Sequence, residues 1–64
     1  MSKVEQRVRN DRRVHSIFDE RTSGDGIWVY LKDGFNFEGC SAVHEDSWTQ
    51  CEKALRTVVE GDCY

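Results

Sequence analysis

Residues 3–18 contain no Gly or Pro, and their apolar positions Val4, Val8, Val14, Ile17 and Phe18 recur at broadly helical spacing among Arg, Glu and Gln. The pattern predicts an N-terminal helix with an imperfect apolar stripe. Ser2 and Glu5 have the spacing of a capping box at its start. The weak stripe leaves the first half of this helix either frayed or docked only through Val4 and Val8.

"TSGDG" then breaks the pattern with two glycines, and the β-branched and aromatic run "IWVYLK" predicts a strand. Asp33–Gly34 is a preferred two-residue hairpin turn. A tight hairpin there sets Lys32 opposite Phe35, Tyr30 opposite Phe37 and Trp28 opposite Gly39. Opposed residues share a face, which gathers Trp28, Tyr30, Phe35 and Phe37 on one side. Ile27, Val29 and Leu31 point to the other, with Asn36 and Glu38. A further short extended segment runs through Ala42 and Val43.

"EDSWTQCEKALRTVVEG" predicts a second helix, with Asp46 or Ser47 as N-cap, Ser47 and Gln50 at capping-box spacing, and Gly61 as its stop. Its stripe is Trp48, Cys51, Leu55, Val58 and Val59. Glu52 and Arg56 form an exposed i, i+4 pair. The fold class is therefore α+β: an N-terminal helix, an antiparallel hairpin of two to three strands, and a C-terminal helix packed on the sheet. Such a small sheet needs a helix over it. The aromatic face is the expected counterpart of the Trp48–Val59 stripe, which makes most of the aromatic cluster core.

Composition fits this picture. Sixty-four residues make a single small domain, 1–64, with a thin core. A charged fraction of 33% and seven aromatic residues fit a folded chain rather than a disordered one. No apolar run reaches the roughly 20 residues a bilayer span requires. The N-terminus is charged and lacks the apolar region of a signal peptide, so the expected location is the cytoplasm.

Charge changes the picture more. Residues 1–22 carry Lys3, Arg7, Arg9, Arg12, Arg13 and Arg21 against Glu5, Asp11, Asp19 and Glu20, whereas residues 23–64 carry eight acids against Lys32, Lys53 and Arg56. The net charge of −3 hides an asymmetry that points to interaction surfaces. The acidic set, chiefly Asp25, Asp33, Glu38, Glu45, Asp46 and Glu52, serves either solubility or docking into a basic groove that normally holds nucleic acid. Duplex DNA presents one negative charge per roughly 1.7 Å of axis, and closely spaced carboxylates imitate part of that.

Other candidate chemistry reads more blandly. His44 beside Glu45 and Asp46 offers acid–base groups, yet helix capping accounts for both carboxylates, and an enzyme is not expected. Gly24-Asp25-Gly26 precedes a strand rather than a helix, so it is a turn and not a phosphate loop. Three cysteines are an odd number. Cys40, His44 and Cys63 match no zinc spacing, and no metal or cofactor is expected. "RVRNDRR" supplies Arg7, Arg9, Arg12 and Arg13 as a phosphate-contacting alternative, against which stand the interspersed acids and a pI near 5.2.

The pattern Asp19-Glu20-Arg21, Gly24-Asp25-Gly26, Trp28-Val29-Tyr30-Leu31-Lys32, Gly34-Phe35 and His44-Glu45-Asp46 resembles a group of small proteins encoded by phages and other mobile elements. Many of these end in several cysteines, of which this chain keeps Cys63. Tiny, acidic and expected to be cytoplasmic, the chain is similar to anti-CRISPR proteins, among them those acting on type I systems, subtype I-C included. The resemblance implies a monomeric, stoichiometric, non-enzymatic inhibitor in the host bacterial cell. It would bind the Cascade surveillance complex at the large subunit that engages the protospacer-adjacent motif, and block target DNA. It implies no direct contact with nucleic acid or membrane. The residues nominated for the contact are Asp25, Asp33, Glu38, Glu45, Asp46 and Glu52.

Overall fold

A computed structural model describes residues 2–61. In chain order the elements are helix α1 (Lys3–Arg9), strand β1 (Val14–Glu20), a 3-10 turn (Arg21–Ser23), β2 (Gly26–Leu31), β3 (Phe35–Asn36), β4 (Ala42–Glu45), helix α2 (Trp48–Leu55) and β5 (Val59–Glu60). β1, β2 and β4 form a three-stranded antiparallel sheet in the order β1-β2-β4, and β3 pairs with β5 in a separate two-stranded ladder. The expected α+β class, with a helix at each end and an antiparallel sheet between, is the class observed.

The first expected helix is only half helical. Ser2 caps α1 as its spacing requires, its hydroxyl accepting the Glu5 amide at 3.0 Å. The helix then stops at Asn10. Asp11 turns the chain: its carboxylate accepts the Arg13 amide and guanidinium, both at 2.8 Å, an Asx-type alternative to helical hydrogen bonding. Beyond it, "VHSIF" satisfies its backbone against β2, as its β-branched and aromatic content favours. Val14 and Ile17 are three apart, as on a helix face, and a β-bulge between Val14 and Ser16 returns both to one face of the strand, which is why the spacing misled.

The expected hairpin at Asp33–Gly34 does not form either. A type I′ turn needs positive φ at both central residues, and here Gly34 alone has it. The turn sends the chain off the sheet into β3, which pairs with β5 through Phe35↔Glu60 and Asn36↔Val59. β2 pairs instead with β1 on one side and β4 on the other. The tight turn lies one step later, where Glu38 (φ 51°) and Gly39 (φ 82°) are bracketed by the Phe37–Cys40 bridge.

That pairing decides which face is buried. Val14 and Leu31, Ile17 with Val29 and Val43, and Ile27 line the helix side. Ile27, Val29 and Val43 are buried there with Val8, Cys51 and Leu55. The aromatic side of β2 is therefore not the core, contrary to expectation: Trp28 is half-buried and Tyr30 is 39% exposed. Phe35 and Phe37 leave that face altogether and pack partly buried against the core. The reason is geometric. Both helices lie over the aliphatic face, where slim side chains let them approach closely.

α2 begins as expected, with the Ser47 hydroxyl accepting the Gln50 amide at 3.3 Å, and buries Trp48, Cys51, Ala54 and Leu55. It ends at Leu55, well before Gly61. The Thr57 hydroxyl donates to the Ala54 carbonyl at 2.8 Å, and the β-branched run Thr57-Val58-Val59 leaves the helix for β5. Val59, expected on the buried stripe, is 56% exposed.

Candidate functional site

The six nominated carboxylates fall into three places. Asp25, Glu45 and Asp46 gather where β2 starts and β4 ends. A Cβ on Gly26 would lie 2.9 Å from His44 Nε2, 3.0 Å from the Glu45 carbonyl oxygen and 3.3 Å from Asp46 Oδ1, so only glycine, here at φ +86°, allows this close approach. Asp33 and Glu38 lie in the turns that flank β3, toward the opposite end of the sheet. Glu52 stands apart on α2.

Ion pairing separates them further. Arg7 reaches Glu52 at 2.5 Å, and Arg56 reaches the same carboxylate at 3.5 Å. Arg9 pairs with Glu5 at 2.8 Å, Arg13 with Asp11 at 2.7 Å, Arg21 with Asp19 at 2.8 Å and Arg12 with Glu60 at 3.9 Å. Every arginine of the chain is thus engaged. Among the nominated acids only Glu52 is paired; Asp25, Asp33, Glu38, Glu45 and Asp46 have no ion-pair partner among the described residues.

The same contacts shift proton affinities. The Arg21 guanidinium, hydrogen-bonded to Asp19, holds that carboxyl at about 2. Hydrogen bonds from Arg13 and from Arg7 hold Asp11 and Glu52 below the usual carboxylate range. Burial, with Glu45 adding repulsion, pushes the Cys51 thiol up to about 11. That thiol is an inert core group.

His44 is not arranged with Glu45 for acid–base work, since strand alternation puts the two side chains on opposite faces of the sheet. Its Nε2–H donates to the Asp25 carbonyl oxygen, and its ring stacks on Trp28 with centroids 4.0 Å apart. Among the described residues no group of three or more His, Cys, Asp or Glu side chains converges as a metal site. Cys63, named with Cys40 and His44 as a candidate ligand set, lies outside the described residues. No helix among those residues is long and apolar enough to cross a membrane.

Sequence reasoning missed the outer face of the sheet. Phe18 on β1, Trp28 and Tyr30 on β2, and His44 on β4 all point away from the helices. Phe18 meets Tyr30 edge-on at 5.6 Å, and Tyr30 lies 6.4 Å from Trp28, whose ring plane is tilted 16° from its own. Asp25 ties the row to the acidic end by accepting the Trp28 indole N–H at 3.0 Å. The signal was present in the alternation of Ser16, Phe18 and Glu20, hidden by treating that segment as helix.

Comparison of the chain with family models, curated proteins and solved structures gives no match.

Proposed function

We propose that this protein is a non-enzymatic binding inhibitor whose unpaired carboxylates dock on a basic, DNA-binding groove of a protein partner. The observation that carries this reading is the division of charge. All six arginines are in ion pairs, while Asp25, Glu45 and Asp46, at one end of the sheet with Glu45 turned to its helix side, have none among the described residues. Complementary potential steers such encounters and weakens with salt. The alternative, phosphate binding through Arg7, Arg9, Arg12 and Arg13, is less favoured, because each must first give up its carboxylate.

The sequence resemblance narrows the partner to a type I Cascade complex in the host cytoplasm, with its large subunit as the contact and occlusion of target DNA as the consequence. The test is comigration of the tagged protein with purified Cascade on size exclusion at low and high salt, with target DNA as competitor. The expected result is a complex that weakens with salt and excludes target DNA. The triple substitution Asp25→Asn, Glu45→Gln, Asp46→Asn should reduce its affinity by about tenfold or more, roughly 0.5–1 kcal/mol per lost contact. Absence of comigration at low salt, or comigration indifferent to that substitution, overturns the proposal.

A further inference from the structure

We infer that the open aromatic face of the sheet is the contact surface for arginine side chains of the protein partner. This rests on the reading of the protein as an acidic docking module, and adds which surface makes the contact and which side chain it recognises.

The row Phe18–Tyr30–Trp28–His44 crosses all three strands. Phe18 is 52% exposed and Tyr30 39%, and neither helix covers that side. Small monomers seldom leave such a row open without a use for it. An aromatic platform on an antiparallel sheet fits two kinds of occupant, stacked bases or cations, and charge separates them. Glu20 and Asp25 flank the row at one end, and Asp46 lies beside Gly26. None of the three has an ion pair among the described residues. Lys32, just past the end of β2, is the cation nearest to Tyr30 in sequence. Each arginine has a carboxylate beside it, and the unpaired acids at this end disfavour a nucleic-acid backbone and favour a guanidinium.

The protein already uses this contact on its helix side. Arg9 and Arg21 lie over the Trp48 ring at 5.0 and 5.5 Å, and Arg12 lies over Phe35 at 5.4 Å. On the outer face the rings of Phe18, Trp28 and Tyr30 carry no cation from among the described residues. Arginine, planar and weakly hydrated, stacks on such rings better than lysine does.

The test is a titration of the full chain at low salt with a short oligo-arginine peptide, an oligo-lysine peptide of equal charge and an oligo-thymidylate, read by tryptophan fluorescence and calorimetry. Wild type should prefer the arginine peptide, and Phe18→Thr with Tyr30→Thr should remove that preference. The loss should be roughly two- to fivefold in affinity per ring, leaving a salt-sensitive residue of binding common to both peptides. Asp25→Asn with Asp46→Asn should weaken both peptides together. Equal affinity of wild type for the two peptides overturns the inference and leaves the acidic reading standing. Failure of both peptides to bind removes both. Binding of oligo-thymidylate that disappears in the Phe18, Tyr30 variant shows a base-stacking platform and overturns the inference outright. Circular dichroism of each variant confirms that the fold is intact.

Discussion

On the helix side of the sheet, Ile17, Val29 and Val43 stand in line across the three strands; on the other side Phe18, Trp28 and His44 do the same. The first row leads into a core where Val29, Val43, Cys51 and Leu55 are no more than 1% exposed. On the second side Trp28 stacks on His44, Phe18 meets Tyr30 edge-on, and Phe18 and Tyr30 are left exposed. One run of sequence, "IWVYLK", supplies β2 to both rows. The larger side chains are on the exposed side, so hydrophobic size alone does not mark the core. What decides burial is which face two short helices can approach closely, and aliphatic side chains pack at high density under a helix without leaving gaps.

The largest expected effect follows from the covered face. Leu55→Ala removes a side chain from the centre of the core and should cost about 2–4 kcal/mol. A domain of this size has little more than about 5 kcal/mol to lose, so the variant should be partly unfolded at room temperature in a urea titration. Retention of most of the wild-type stability would mean that α2 is not the lid of the core.

How much of this was legible depended on how far each signal was local. The caps at Ser2 and Ser47 are contacts within three residues, and both hydrogen bonds are found as their spacing requires. The strand at residues 26–31 and the start of α2 were equally readable. Strand partners were not, because pairing is a competition between distant segments. Asp33–Gly34 is the stronger local turn signal, yet β1 offers β2 a seven-residue partner and the weaker Glu38–Gly39 turn closes tightly instead. The site followed the same rule. The acids could be named from composition, but their ion pairing depends on which arginines the fold brings near. Arg7 and Glu52 are 45 residues apart.

A second test uses acidity. Asp11, Asp19 and Glu52, the carboxyls held low by arginine, belong to the helix side or its joints: α1 to β1, the end of β1, and α2. Each is held below its ordinary value in the fold, Asp19 at about 2 against 3.8. Each therefore favours the folded state above the ordinary carboxylate value, and this support is lost as pH falls through the lower one. The fold should persist to about pH 4 and then weaken toward pH 2. Arg21→Gln or Arg13→Gln should move the acid midpoint upward, as followed by circular dichroism. An unchanged midpoint in both arginine variants would show that these ion pairs do not support the fold.

The smallest expected effect belongs to the outer face and gives the sharpest contrast. Phe18→Thr and Tyr30→Thr keep β-favouring side chains on β1 and β2 while removing rings that are 52% and 39% exposed. The rings touch one another edge-on at 5.6 Å, a contact worth about 0.5–1.5 kcal/mol at most, and much less where water reaches both. Each substitution should therefore change stability by less than about 1 kcal/mol, a few degrees in the midpoint of a thermal melt for a domain of this length. The two together should cost little more than either alone, since the first already removes their shared contact. A loss approaching that of Leu55→Ala would show the outer row to be a second core, and the distinction between the faces would collapse. A small loss leaves the rings without a structural purpose large enough to explain four aromatic side chains gathered on one face of three strands, which is the condition a binding surface requires.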